Sequence, residues 1–157
     1  MTATKLVLAT LATFALVACA TGNPTTACAP APKELVKKDL DAGSGDSARF
    51  RSAVIVSYTG WLYDGCKPDL KGEQFDTSVG RSTPFGFVVG AGRVIKGWDE
   101  GLVGMKEHGR RLLVIPPDKA YGERAVGPVI KPNSTLVFEV ELLRILSQGD
   151  AAAPKPQ

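Results

Sequence analysis

Val94-Ile95-Lys96-Gly97-Trp98-Asp99-Glu100-Gly101-Leu102 is too apolar for a surface loop and places a Trp directly after a Gly. Trp98, Leu102 and Met105 recur at i, i+4 and i+7, which gives one short helix an apolar stripe. Asp99 and Glu100 in its first turn complement the helix dipole, whereas Gly101 and Gly104 each weaken it by about 1 kcal/mol relative to Ala. Packing must therefore hold the helix in place. Read with Tyr58, Phe75, Asp76, Phe85, Phe87 and Tyr121, the stretch outlines an aromatic-lined cleft with a single carboxylate. Such a cleft offers shape, desolvation and one or two hydrogen bonds, but no nucleophile and no metal.

Alternation governs the rest of the folded unit. Val54, Val56 and Tyr58 share one face of a strand beginning near Arg51, and Asp64-Gly65 supplies the turn that ends this hairpin arm. Phe85, Phe87 and Val89 alternate in a following strand, Leu112 and Val114 in another that stops at Pro116-Pro117, and Phe138, Val140 and Leu142 in the last. Leu35 to Leu40 adds a short edge strand. Four or five mostly antiparallel strands and one helix across one face make an α+β domain.

A chain of 157 residues that is 44% hydrophobic is enough for one domain with one core. The formal charge of +3 is small and the Lys and Arg residues are scattered, unlike the clustered basic stripe of a nucleic-acid binder, so nucleic acid is dropped as a partner. One histidine and three dispersed cysteines do not supply the close ligand grouping of a zinc site, and no metal or other cofactor is expected. The sole histidine, His108 before Gly109, reads as a solvated, non-catalytic turn residue.

Residues 1–18 read as an export signal, with Lys5 followed by an apolar run from Leu6 to Ala18 that is too short to span a bilayer. Leu16-Val17-Ala18-Cys19 resembles the lipobox of bacterial lipoproteins, which implies acylation of Cys19. The protein would then be anchored in the cell envelope facing the periplasm, and Ala20 leans toward the outer membrane by analogy. Ordinary cleavage around Ala18-Cys19-Ala20 is the competing reading and gives a soluble periplasmic or secreted protein. Residues 19–32 are rich in Thr, Ala and Pro and have almost nothing to bury, so they read as a disordered tether; 147–157 reads as a similar tail. The domain lies between them, over 33–146.

Within that domain, Tyr58-Thr59-Gly60, Phe75-Asp76-Thr77-Ser78, Pro84-Phe85, Val94-Ile95-Lys96-Gly97-Trp98, Ala120-Tyr121-Gly122 and Leu136 to Leu142 follow in order. Together they resemble an FKBP-type peptidyl-prolyl cis-trans isomerase from about Val36 to Leu146. The resemblance implies a half-wrapped antiparallel β-sheet around one short α-helix, with a pocket between them and Trp98 as its floor. It also implies binding of proline-containing polypeptides and of macrolides of the FK506 and rapamycin type. By the same resemblance Asp76 and Tyr121 are the catalytic candidates. Tyr121 should donate its hydroxyl to a ligand carbonyl, the backbone N–H of Ile95 should bind another, and Asp76 should stand at the wall beside Tyr58 and Arg81, orienting its neighbours without transferring a proton. The substrate-binding set is Tyr58, Phe75, Arg81, Phe85, Phe87, Val94, Ile95, Trp98, Val129, Ile130 and Phe138. Plain core packing is an equal reading for Phe87 and Phe138, because strand Phe is usually buried.

The implied reaction needs no bond made or cleaved. An X-Pro bond rotates over a barrier of about 18–20 kcal/mol because rotation breaks amide resonance. The planar amide is the more charge-separated state, so an apolar cleft disfavours it relative to the twisted one, and tighter binding of the twisted form raises the rate.

Three departures from the better-known members stand out. Val126 occupies about the place where a His is common and should favour apolar substrate flanks, Arg93 replaces a frequent acidic residue, and Gly65 to Gly72 is several residues longer and should bulge near the pocket rim. With Cys19 acylated, Cys28 and Cys66 are left as a bridge, two free thiols or an intermolecular partner, and sequence does not choose. No long amino-terminal helix is present to pair subunits, so a monomer is the default. Three functions stay open: an exported isomerase assisting folding, a proline-peptide binding or chaperone module with incidental turnover, and an envelope lipoprotein using the domain for adhesion or assembly.

Overall fold

The computed structural model describes residues 28–146. The expected export signal, Cys19 with its acyl anchor, and the tail over 147–157 lie outside the described residues. In chain order the elements are β1 (Val36–Asp41), β2 (Ser44–Ser47), β3 (Ala53–Tyr63), β4 (Lys71–Thr77), β5 (Phe85–Val88), α1 (Lys96–Gly101), β6 (Lys106–Glu107), β7 (Arg110–Ile115) and β8 (Leu136–Leu146), with a single 3-10 turn at Pro117–Lys119. Eight strands among the described residues exceed the four or five read from sequence. The extra ones are short or polar, as in Ser44–Ser47 and Lys106–Glu107, and carry no alternation to read.

β3 is the axis of a fully antiparallel sheet ordered β1-β7-β8-β3-β4. β8 pairs with it from Ala53↔Leu146 to Leu62↔Leu136. Its other edge is shared, β5 taking Ala53 to Val56 and β4 taking Thr59 to Tyr63. At the changeover neither strand reaches Tyr58, and Ser78 satisfies its backbone instead. The Tyr58 N–H donates to Ser78 Oγ at 2.8 Å, and the Ser78 N–H donates to the Tyr58 carbonyl at 2.9 Å. The outer edge of β7 is covered by β1, which is exposed throughout and carries Lys37, Lys38 and Asp39, charges that discourage further edge pairing. β2 and β6 form a separate two-stranded ribbon.

The core gathers Val54, Val56 and Tyr58 of β3 with Leu136, Phe138, Val140 and Leu142 of β8, as their alternation predicts. On β7 the residues that join this core are Leu113 and Ile115, the opposite phase to the Leu112 and Val114 alternation read from sequence. All four residues are apolar, so alternation alone does not fix which face turns inward.

α1 is shorter than its apolar stripe. Trp98, Leu102 and Met105 are all buried, but the helix ends at Gly101, with Leu102 as its cap and Met105 beyond it. Gly104 lies outside the helix at φ +81°, a conformation that favours glycine. Gly101 is the condition for close packing and not merely a weak point. A Cβ there would stand 2.9 Å from Leu113 Cδ1, and one on Gly97 would overlap Ile115 Cγ2. Gly97→Ala is therefore expected to destabilise the fold by about 1–2 kcal/mol, because overpacking costs about 1–3 kcal/mol against a propensity gain of about 1 kcal/mol. Denaturant unfolding measures this, and a stabilised variant would show that Ile115 yields.

The carbonyls at the end of the helix and just beyond it are met by Arg111 of β7, which is 8% exposed. Its Nη1 donates to Gly101 O at 2.7 Å and Val103 O at 3.1 Å, while Nε donates to Asp39 Oδ1 of β1 at 2.5 Å. That bond is the main reason the Asp39 carboxyl lies below its ordinary pKa. One side chain thus ties α1, β7 and β1 together.

Cys28 and Cys66 form a disulfide. Beside it the Ala29 N–H donates to Gly65 O at 2.9 Å, and the Tyr63 hydroxyl reaches the carbonyls of Ala29 and Pro30 at 3.0 and 3.1 Å. The end of the expected tether is thereby held against the domain. The long segment after Asp64 meets it at the tip of the β3–β4 hairpin.

Candidate active site

Trp98, 4% exposed, stands at the centre of the aromatic cluster. α1 presents it to the sheet, where ring centroids of Tyr58, Phe138, Phe87 and Phe85 lie 5.0, 5.3, 5.6 and 5.8 Å away. Three of these contacts, all but Phe87, are edge-on, which suits the ring quadrupoles. Phe75 joins through Phe138 at 5.5 Å. Gly60 makes that approach feasible, since a Cβ there would sit 2.7 Å from Phe138 and 2.8 Å from Phe75. Phe85 is the most open of these rings at 37% exposed, whereas Phe138 is 4% exposed.

Asp76 sits where β4 meets β3. Its Oδ2 accepts from the Tyr58 hydroxyl at 2.6 Å, and its Oδ1 accepts from the Thr77 N–H at 2.8 Å and from Arg81. The Asp76, Tyr58 and Arg81 grouping read from sequence is therefore brought together. Burial first, and then the bond to Asp76, push the Tyr58 hydroxyl from its ordinary 10.0 up to about 12. The folded state thus holds this proton more tightly than the unfolded chain. The associated stability, about 2–3 kcal/mol, is fully present below about pH 10 and is lost as pH rises toward 12. Tyr58→Phe should show a shallower decline over that window in denaturation at stepped pH; parallel profiles would remove Tyr58 as the titrating group.

Tyr121 follows the 3-10 turn and is half-buried. Burial raises its hydroxyl pKa, with the charge of Asp76 adding to the effect, which places the two groups within electrostatic reach. Its hydroxyl makes no hydrogen bond among the described residues. Nor does the N–H of Ile95, the residue that caps α1, find a protein acceptor among them. The Nε1–H of Trp98 is buried and likewise has no acceptor. Val94 and Ile95 are half-buried against the core. The flap from Gly122 to Ser134 is pinched by reciprocal bonds between Val126 and Ile130 and closed at its base by Asn133 N–H to Gly122 O at 2.7 Å. Ile130 is 5% exposed, and Val129 is half-buried beside it.

Two positioning groups escaped the sequence reading. Ser78 is one. Asp99 is the other: it was expected to serve the helix dipole, but its carboxylate accepts from the Gly90 N–H at 2.7 Å and the Gly92 N–H at 3.0 Å. It thereby holds the loop that delivers Val94 and Ile95. No pattern in the sequence announces a bond to glycine amides several residues upstream.

Two surface hollows lie elsewhere. One is lined by Pro32, Pro116, Pro117 and Asn133, the other by Trp61, Lys71, Arg110 and Glu139. In the second, the two cations are spent, since Lys71 and Arg110 both pair with Glu139. The aromatic cluster is the better site because its donors are unspent. Among the described residues no three His, Cys, Asp or Glu side chains come together as metal ligands.

A family model for the FKBP-type peptidyl-prolyl cis-trans isomerases matches residues 45–143, which include every residue of this cluster. An FK506-binding protein of Neisseria meningitidis serogroup A is 48% identical over 111 residues, covering 71% of this chain and 95% of that protein. FK506-binding protein 1 of Gibberella zeae is 48% identical over 109 residues, covering 69% and 96%. Among solved structures, FkpA from Escherichia coli matches at 43% identity and a TM-score of 0.59, over 71% of this chain and 47% of that one. The chain thus spans about half the length of FkpA. The peptidyl-prolyl cis-trans isomerase of Pseudomonas syringae pv. tomato matches at 34% identity and a TM-score of 0.58, over 72% and 76%. The residues matched by the family model run from β2 into β8 and hold the helix and the aromatic cluster, and the chain belongs to the FKBP-type peptidyl-prolyl cis-trans isomerase family.

Proposed function

We propose that the aromatic cluster is where this isomerase turns X-Pro bonds of exported or envelope polypeptides, with the sheet half wrapped around α1 and the proline ring seated over Trp98. One observation carries the reading: the Trp98 Nε1–H, Ile95 N–H and Tyr121 O–H have no acceptor among the described residues, yet all lie on an otherwise apolar cluster. A polypeptide backbone supplies carbonyl acceptors. Tyr121 and Ile95 bind two of them, while Phe85, Phe87 and Phe138 withdraw the prolyl amide from water. The planar amide loses more solvation than the twisted one, so the cluster favours the state midway through rotation. Each 1.36 kcal/mol of that preference gives about tenfold in rate. Asp76 positions Tyr58 and Arg81 and takes no proton. Macrolides of the FK506 type occupy the same cluster.

NMR exchange between cis and trans forms of a Leu-Pro peptide tests this reading. Acceleration lost on adding FK506 is expected. Binding without acceleration would make the domain a proline-peptide module instead. The proposed setting is the cell envelope, with the protein a monomer on a lipid anchor at Cys19, facing the periplasm and favouring the outer membrane. Lipid labelling of the protein but not of Cys19→Ala supports the anchor, and a soluble, unlabelled protein would replace it with ordinary signal cleavage.

A further inference from the structure

We infer that the site selects prolyl bonds flanked by acidic residues; this deepens the isomerase reading above and rests on it. Two segments flank the aromatic cluster, the loop into α1, which brings Val94 and Ile95, and the flap, which brings Val129 and Ile130. Arg93 directly precedes Val94, Lys96 directly follows Ile95, and Lys131 directly follows Ile130. Arg124 donates its backbone N–H to the Tyr121 carbonyl at 3.1 Å. All four side chains are exposed, and none enters an ion pair among the described residues.

Three of the neighbouring acids are already engaged. Asp76 serves Tyr58 and Arg81, Asp99 serves the amides of Gly90 and Gly92, and Glu100 pairs with Lys119. Glu123 is the one acidic residue within the flap. Among the described residues the two segments thus carry four unpaired cations, Arg93, Lys96, Arg124 and Lys131, against one unpaired carboxylate, Glu123, in a chain whose formal charge is only +3.

A substrate's flanking residues lie about 3.3 Å apart along an extended chain, so a position two away from the proline, about 7 Å off, falls within the screening length of about 8 Å at physiological salt. These flanks stay hydrated and carry little desolvation cost. The rim charges accordingly act on encounter and KM, not on the turning step.

The test uses peptides with a constant Leu-Pro centre and Glu, Gln or Lys on both flanks, with kcat and KM taken from NMR exchange at low and high salt. The Glu peptide is expected to exceed the Lys peptide about 3- to 10-fold in kcat/KM at low salt, through KM, as a few exposed charge contacts allow. Salt of about 1 M, where screening acts over about 3 Å, should erase most of the difference. Arg93→Glu with Lys131→Glu should invert the order. Lys37→Glu with Lys38→Glu, an equal charge change on exposed β1, should preserve it. Equal kcat/KM across an accelerated series overturns the inference and leaves the isomerase reading standing, as does inversion by the β1 variant. Acceleration of none of the peptides removes both.

Discussion

Trp98→Ala is expected to lower stability by about 3–5 kcal/mol and to cut kcat/KM for a Leu-Pro peptide about 100-fold. The stability figure follows from a nearly buried indole that meets four other rings within 5.8 Å. The rate figure corresponds to about 2.7 kcal/mol of preference for the twisted amide, of the size two or three aromatic contacts supply. Because the Ala variant risks partial unfolding, Trp98→Phe carries the sharper test. It keeps a ring on α1, should remain folded at a loss of about 1–2 kcal/mol, and should still lower kcat/KM about tenfold. Denaturant unfolding and NMR exchange on the same sample separate the two effects. A folded Trp98→Phe protein with unchanged kcat/KM and macrolide affinity would remove Trp98 as the floor.

Asp76→Ala is expected to cost about 2–4 kcal/mol of stability and about tenfold in kcat/KM. Its exposed pair with Arg81 contributes little of this, since both side chains are more than a third exposed. The larger share is the 2.6 Å bond from the Tyr58 hydroxyl, because a buried donor left without its charged acceptor loses about 1.5–3 kcal/mol. Asp76→Asn keeps an acceptor and removes the charge, so its stability loss should be about 1 kcal/mol. In that variant the Tyr58 pKa should fall from about 12 yet stay above its ordinary value, because burial is the larger cause of the shift. Tyrosinate absorbance during alkaline titration reads this directly. A Tyr58 titration unmoved by Asp76→Asn would mean that the carboxylate is not the charge the phenol feels.

The legible parts of this protein are those where residue type and spacing carry their own meaning. Val54, Val56 and Tyr58 declared a strand face, and Phe138, Val140 and Leu142 declared another, because period-2 burial leaves a one-sided signature. Asp76 and Tyr58 were joined in advance only through resemblance, and the structure places them 2.6 Å apart. The phase of β7 was not legible, since Leu112, Leu113, Val114 and Ile115 present apolar side chains to both faces. Nor were Ser78, Asp99 and Arg111. Each bonds backbone that a single chain does not foretell as unsatisfied: the gap between β4 and β5, the amides of Gly90 and Gly92, and the last carbonyl of α1.

Local pattern alone was enough to establish a mostly antiparallel sheet with one short, glycine-weakened helix, because strand period and helix stripe are properties of neighbours in the chain; the aromatic cluster with its carboxylate was legible through resemblance. Which glycines the helix needs and which acids are spent on amides were settled by assembly. Those depend on residues distant in sequence arriving at the same place, and only the packed sheet brings them there.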